Sequence, residues 1–456
     1  MNINPNIFRE YDIRGIVDRD LDPDVVATLG RAFGTYVRLQ GRRQVAVGRD
    51  CRLSSPAYAR ALTDGLRSTG CAVADIGVVP TPLLYFASFA KNKEAGVMIT
   101  GSHNPPEYNG FKMMVGQDTL YGPTIQDLYR LIRADAFIGQ AQGGHETIDL
   151  IPEYEAHVLG LIKLARPLRV VIDAGNGTAG FVAVPIFRKL GCEVIDIFCE
   201  PDGLFPNHHP DPTLPEAMES LVHKVRETRA DLGIAYDGDG DRIGVVDDEG
   251  HLIWGDQLLI LFARDILARA PGAAVISEVK STKVLYEEVA RLGGRPIMWK
   301  TGHSLIKKKI KEEKALLAGE MSGHMFFADR WFGFDDAVYA SVRAAELLAR
   351  SPVKLSEMLA SIPKTFTTPE IRIYASDEVK FRIVDEVRRD LARTRQTIDI
   401  DGVRAVFPKG WGLVRASNTQ AVLVLRFEAD TPADLEAIQS EVKAAVERAI
   451  HQLELS

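Results

Sequence analysis

The sequence predicts an α/β protein with three successive α/β segments followed by a smaller α+β unit. Three observations carry this reading. Short apolar runs alternate with amphipathic helical stretches from residue 24 onward. The alternation restarts at Leu168–Asp173 and again at Ala274–Ser277. From about residue 365 it gives way to closely spaced strand-like runs and a single final helix.

Taken in order, residues 24–40 place Val25, Val26, Leu29, Phe33, Tyr36 and Val37 at helical spacing. Asp22 and Pro23 supply a start signal, and Gly41 a stop. Gln44–Gly48 reads as a buried strand, and Ser55-Pro56 opens a helix ending near Gly70. CAVADIG and Gly96–Thr100 (GVMIT) follow as strands of a largely parallel sheet. LRVVID begins the second segment, with a glycine-rich AGNGTAG, an apolar helix, and strands CEVIDIF and LGIAY. AAVIS, Pro296–Trp299 and Ala315–Ala318 mark the third. No strict sequence repeat accompanies the restarts, so a shared fold for the three is an expectation. Glu370–Tyr374, Gln396–Ile400, Ala405–Phe407 and Ala421–Phe427 then suggest a mixed or antiparallel sheet. The last helix starts at Thr431-Pro432 with Asp434 in the box position, and Leu435, Ile438, Val442 and Val446 form its stripe. Polar stretches near 140–150, 247–251 and 362–368 are the candidate boundaries.

The chain has 456 residues, which at roughly 100–200 residues per domain allows two to four domains. It is 46% hydrophobic and 26% charged, and large enough to bury sizeable cores without disulfides. Cys51, Cys71, Cys192 and Cys199 form no CxxC pair and are expected to be small buried hydrophobes. A formal net charge of −7 argues against nucleic-acid or anionic-membrane partners. The first residues lack the apolar region of a secretory signal, and no apolar run is long enough to span a bilayer. A cytoplasmic protein is the expectation.

Four polar loops carry the chemistry. Thr100-Gly101-Ser102-His103-Asn104-Pro105-Pro106 follows strand GVMIT, so Ser102 stands where a hydroxyl can face a cleft. By itself the segment also reads as a turn capped by Ser102 and Asn104. Asp237, Asp239 and Asp241 alternate on a glycine-rich turn ending at Arg242. Carboxylates so close repel one another and call for a cation, and hard oxygen ligands suit Mg²⁺. An EF-hand is excluded because Arg242 stands where that loop needs glycine, Asp248 holds the twelfth position, and the flanks are strands. Glu320 and Ser322 alternate in GEMSGH, a spacing that can meet vicinal hydroxyls or simply make a polar turn. Arg415-Ala416-Ser417-Asn418-Thr419 can form a phosphate nest or an ordinary polar loop. Arg9, Arg14, Lys112, Lys280 and His303 are further bases, each on its own compatible with surface charge.

Together TGSHNPP, DGDGDR, GEMSGH and RASNT resemble, in order and spacing, the α-D-phosphohexomutase superfamily, and GEMSGH is similar to its phosphomannomutase/phosphoglucomutase branch. The resemblance covers essentially the whole chain. It implies three similar α/β domains with mixed sheets and a smaller α+β C-terminal domain around a deep cleft, with boundaries at 1–148, 149–250, 251–364 and 365–456. It implies Ser102 as a phosphoserine and Asp237, Asp239 and Asp241 holding one Mg²⁺ together with a phosphoserine oxygen. Glu320 and Ser322 would grip the sugar O3 and O4, and Arg415, Ser417, Asn418 and Thr419 the phosphate that is not reacting. Tyr11, Arg14, His103, Asn104, Lys112, Arg242, Lys280, His303 and His324 would surround the cleft, with Lys112 or His303 as general acid/base. The implied reaction interconverts hexose 1-phosphate and hexose 6-phosphate of mannose and glucose through a hexose 1,6-bisphosphate. The partner is a phosphosugar and the chain is expected to be monomeric. Phosphoglucosamine mutase is the near alternative. A metal-dependent phosphatase is the distant one, because a hydrolase need not hold a second phosphate.

Overall fold

A computed structural model describes residues 3–91, 93–417 and 420–454. They form four sheets. In the first, Gln44–Arg49 lies parallel to both Ala72–Val78 and Ala95–Ile99, and Tyr108–Val115 runs antiparallel to Ala95–Ile99. In the second, Arg169–Asp173 is parallel to Glu193–Ile197 and Leu232–Tyr236, with Ile243–Val246 antiparallel to the latter. In the third, Ala274–Glu278 is parallel to Arg295–Trp299 and Leu317–Gly319, with Met325–Phe327 antiparallel. The three share one strand order without a sequence repeat: second, first, third, then a reversed fourth strand.

That order positions the chemistry. In each sheet the hairpin between the third strand and the reversed strand carries one polar loop. Residues 100–107 hold Ser102, 237–242 the three aspartates, and 320–324 Glu320 and Ser322. The reversed strands make the sheets mixed, where the apolar runs alone suggested largely parallel ones.

The fourth sheet is antiparallel along Phe366–Thr367, Val422–Ala429, Gly410–Ala416, Val403–Phe407 and Gln396–Ile398, with Ile371–Tyr374 also on Val422–Ala429. Helix Pro432–Glu454 follows, and the Thr431 hydroxyl accepts from Asp434 N. Strand Gly410–Ala416 has no counterpart in the sequence reading, because its glycines interrupt the apolar pattern. Arg415 therefore sits in a strand and not on the loop that the RASNT motif suggested. Tyr108–Val115 is hidden in the same way by Asn109-Gly110, and it places Lys112 in a buried strand.

The expected first helix spans Pro23–Leu39, with Asp22 accepting from Val25 N at 2.8 Å. Residues of the first three units contribute to one continuous core. Helix Thr81–Ala90 is buried over most of its length, and Phe86 meets Tyr154 of the second unit and Trp331 of the third edge-on and stacked. The fourth unit has a separate core. All four cysteines are free, and burial raises each thiol, Cys51 and Cys199 to about 12. No helix among the described residues is long and apolar enough to cross a membrane.

Candidate active site

The Ser102 loop is held by a residue that the sequence reading missed. Arg52 is fully buried and donates to the carbonyls of Ser102 (2.8 Å), Asn104 (2.6 Å), Pro105 (2.5 Å) and Tyr108 (2.9 Å). Asp50 balances it at 3.1 Å and also accepts from Gly101 N and the Ser55 hydroxyl. Ser102 itself has φ 51°, a left-handed conformation unusual outside glycine. The surrounding hydrogen bonds fix that strained geometry and aim the side chain.

It is aimed at the aspartates. Ser102 Oγ donates to Asp237 Oδ2 at 2.9 Å and lies 3.2 Å from His103 Nδ1. The close approach needs Gly238, where a Cβ would meet Ser102 O at 2.5 Å. Asp237, Asp239 and Asp241 are fully buried and their carboxylates converge. Lys112 Nζ lies 2.7 Å from Asp239 and 2.5 Å from Asp241, and the Thr81 hydroxyl donates to Asp239 at 2.5 Å. Oδ1 of Asp239 and Oδ1 of Asp241 are buried with no hydrogen-bond partner. Three converging carboxylates, two of them with an unserved oxygen, fit a hard divalent cation.

Electrostatics divide these groups. Burial and its two carboxylate neighbours push the Asp237 carboxyl well up. Burial also acts to raise Asp239, but Lys112 outweighs it and holds that carboxyl below the ordinary range. Burial, then the cations Arg242, Arg14 and Lys112, hold the His103 imidazole well below its usual value and therefore neutral. Arg14 pairs with Asp12 at 2.6 Å.

The third loop docks directly on the second. Ile243 N donates to Gly323 O at 3.0 Å, and a Cβ at Gly323 would meet Ile243 O at 2.4 Å. Arg242 Nε donates to His324 Nε2 at 3.1 Å, and the His303 and His324 rings stack with centroids 5.4 Å apart. Glu320 is buried and accepts from Gly302 N at 2.6 Å, with the Ser322 hydroxyl 3.5 Å from its other oxygen.

The remaining sequence-predicted residues gather where the first, third and fourth units meet. Tyr11 OH donates to Thr301 O at 2.9 Å, and Thr301 N donates to Asp401 at 3.1 Å. Asp401 in turn holds the Arg415 guanidinium at 3.0 Å. Lys280 Nζ lies 2.8 Å from Glu370, and that ammonium pulls the Glu370 carboxyl down to about 2. Ser417 N donates to Val422 O at 3.0 Å. Lys380 reaches the carbonyls of Ser417 (2.6 Å) and Gln420 (3.1 Å) and so closes the base of that loop. Asn418 and Thr419 lie outside the described residues. Asp401, Glu370 and Lys380 carried no sequence signal, since each sits among ordinary surface-type charges.

Family models match four consecutive stretches. They describe phosphoglucomutase/phosphomannomutase alpha/beta/alpha domain I over residues 5–138, domain II over 153–250, domain III over 254–366, and the C-terminal domain over 370–445. A phosphomannomutase/phosphoglucomutase of Pseudomonas putida is 49% identical over 451 residues, covering 99% of this chain and 97% of the relative. A phosphoglucomutase of Neisseria meningitidis is 47% identical, covering 98% of each. The crystal structure of a phosphoglucomutase/phosphomannomutase family protein from Burkholderia thailandensis superposes with a TM-score of 0.93 at 46% identity, covering 98% of both chains.

Proposed function

The chain belongs to the phosphoglucomutase/phosphomannomutase family, and from that premise we propose that it interconverts hexose 1-phosphate and hexose 6-phosphate, with mannose and glucose as its sugars, through a phosphoserine at Ser102. The observation that carries this reading is the Ser102 hydroxyl set 2.9 Å from Asp237 at the mouth of a buried three-carboxylate cluster. Relatives named for both sugars support the pair of substrates over glucosamine.

Asp237, Asp239 and Asp241 would hold Mg²⁺ together with a phosphoserine oxygen, and the bound ion would neutralise charge on the transferring phosphoryl group. The rest is the work of side chains. Ser102 carries the phosphoryl group and gives it to the 6-hydroxyl of a hexose 1-phosphate. The proton of that hydroxyl passes to a base. The resulting 1,6-bisphosphate turns over, returns its other phosphoryl group to Ser102, and leaves as the 6-phosphate. Arg242 and Lys112 supply positive charge beside the serine. His103 and Arg14 line the approach, and Asn104 orders the serine loop. Glu320 and Ser322 take the vicinal hydroxyls, with His324 behind them. Arg415, Ser417, Asn418, Thr419, Lys280 and Tyr11 receive the phosphate that is not reacting. The sites of the two phosphates fall in units best divided as 1–148, 149–250, 251–364 and 365–456. The spans of the family models support that division, while the second sheet runs just past residue 250 to Leu252–Ile253.

The test is incubation with glucose 1-phosphate, Mg²⁺ and a trace of glucose 1,6-bisphosphate. Glucose 6-phosphate is the expected product. Release of free phosphate in its place would reject the mutase and favour a phosphatase.

A further inference from the structure

Lys307 lies in the run Lys307-Lys308-Lys309, which reads as a solvated helix face, yet it is only 7% exposed. It follows His303 by four residues in helix His303–Glu313, so the two side chains share a face. Its Nζ lies 3.1 Å from His303 Nδ1, 2.9 Å from Asp335 Oδ1, and 4.0 Å from the centroid of the Tyr85 ring.

The chemistry of the pair fixes a tautomer. An ammonium has donors and no acceptor, so His303 Nδ1 must accept. The ring proton is then on Nε2, which makes no hydrogen bond to any described residue. The neighbouring imidazole is set the other way: His324 Nε2 accepts from Arg242, so its proton is on Nδ1, 3.1 Å from Asp335 Oδ2. Asp335 thus faces Lys307 with one oxygen and His324 with the other. The charged or titratable groups acting on Lys307 are His303 from its own helix, Asp335, and, farther off, Asp241 and Lys112; Tyr85 presents its ring.

We propose that Lys307 is the proton reservoir behind His303, with the imidazole relaying between this buried amine and the sugar oxygen. This rests on the mutase reading. When Ser102 attacks a sugar phosphate, its hydroxyl proton goes to His103 Nδ1, 3.2 Å away. The leaving sugar oxygen takes a proton from His303 Nε2–H, and His303 Nδ1 takes one from the Lys307 ammonium. Lysine is left as a neutral amine and His303 as the Nδ1–H tautomer. When a sugar hydroxyl attacks phosphoserine, the hydroxyl proton goes to His303 Nε2 and the Nδ1 proton returns to Lys307. The Ser102 oxygen takes its proton back from His103, and the first state is restored. The two half-reactions therefore use the store in opposite directions, and no proton is exchanged with solvent. Burial, only partly opposed by Asp335, lowers the Lys307 ammonium from its ordinary value, and burial with Lys307 holds His303 well below its own. Neither imidazolium nor a permanent ammonium is then the resting trap.

Three measurements test this on the full chain. Lys307→Met should keep KM for glucose 1-phosphate within about twofold and lower kcat roughly 10²-fold, the usual worth of a positioned proton donor. Lys307→Arg keeps the positive charge and the donors but cannot release a proton, so it should be impaired in kcat to a similar degree. Near-wild-type kcat in the arginine variant would reduce Lys307 to a structural brace. In Lys307→Ala, added small alkylamines should restore turnover in proportion to their basicity, and absence of rescue in a folded, ligand-binding variant counts against the relay. Nitrogen-15 NMR of His303 reads the tautomer without any turnover: Nε2–H is expected in the wild type with Ser102 unphosphorylated, and Nδ1–H in that form would overturn the proposal even if the mutase assay succeeds. Failure of the wild type to form glucose 6-phosphate would instead fall on the mutase reading.

Discussion

The first three units and the fourth are joined to the site by different kinds of contact. Residues of the first three share one hydrophobic core, and their loops interlock through backbone, Gly238 against Ser102 O and Gly323 against Ile243 O, with Arg52 fixing the Ser102 loop from within the first unit. The fourth unit keeps its own core and meets the third through polar pairs and one small apolar cluster, in which Val279 and Met298 pack on Ile400, Trp411 and Leu413. Glu428 accepts from the Thr282 hydroxyl and Trp411 Nε1, both at 2.6 Å, Arg404 reaches Val279 O at 2.6 Å, and Lys283 pairs with Asp430 at 2.6 Å. Phosphoryl transfer is intolerant of misplacement, and the serine–aspartate junction is the part built without freedom. In the proposed reaction a bisphosphate must present either end, so the far site must be able to let go, and an ion pair such as Lys280–Glu370 would be exchanged for a phosphate.

The largest expected effect breaks the rigid side. Arg52→Met leaves a buried aspartate without its counter-charge and four carbonyls without their shared donor, and should cost about 3–5 kcal/mol in denaturant unfolding, with loss of turnover. A shift below about 1 kcal/mol would show that Arg52 does not anchor the loop. Next, Gly238→Ala places a methyl group 2.5 Å from Ser102 O and should lower kcat about 10²-fold while circular dichroism is unchanged. Full activity in that variant would mean that the two loops need not touch.

A third test probes the shared core through pH. Burial raises the Asp336 carboxyl, which accepts from Tyr154 OH of the second unit at 2.9 Å, to about 7. The folded state then holds a proton that the unfolded chain releases near pH 4. Stability should fall as pH rises from about 4 to about 7 and level off above, by up to about 2.5 kcal/mol between pH 5 and pH 7. Asp336→Asn should flatten that slope, and an identical slope in both proteins would place the titration elsewhere. The smallest effect belongs to the exchangeable side. Glu370→Gln removes the anion that competes with phosphate for Lys280 and should lower KM for glucose 1-phosphate roughly fivefold, about 1 kcal/mol, at nearly constant kcat. A raised KM would make the pair a brace between units.

What could be read from the sequence was the chemistry concentrated on loops. Ser102 and the three aspartates announce themselves because polar groups alternate on glycine turns at strand ends. Arg52 and Lys307 do not, because a lone arginine after a strand and one lysine among three look like solvated charge until the fold buries them. Asp335-Asp336 was the available signal: two adjacent carboxylates in an apolar stretch, one now found against Lys307 and the other capping helix Ala337–Arg350. The common strand order of three units was invisible for another reason, since hydrogen-bond topology needs only matching apolar runs and not matching residues.

Peptide mass spectrometry tests most directly whether Ser102 is the phosphoryl carrier. Dephosphorylated protein incubated with glucose 1,6-bisphosphate and Mg²⁺ should gain one phosphoryl group on the peptide carrying Ser102 and lose it again when glucose 6-phosphate is added in excess. Turnover with that peptide unmodified, or with the phosphoryl group on another residue, would contradict it.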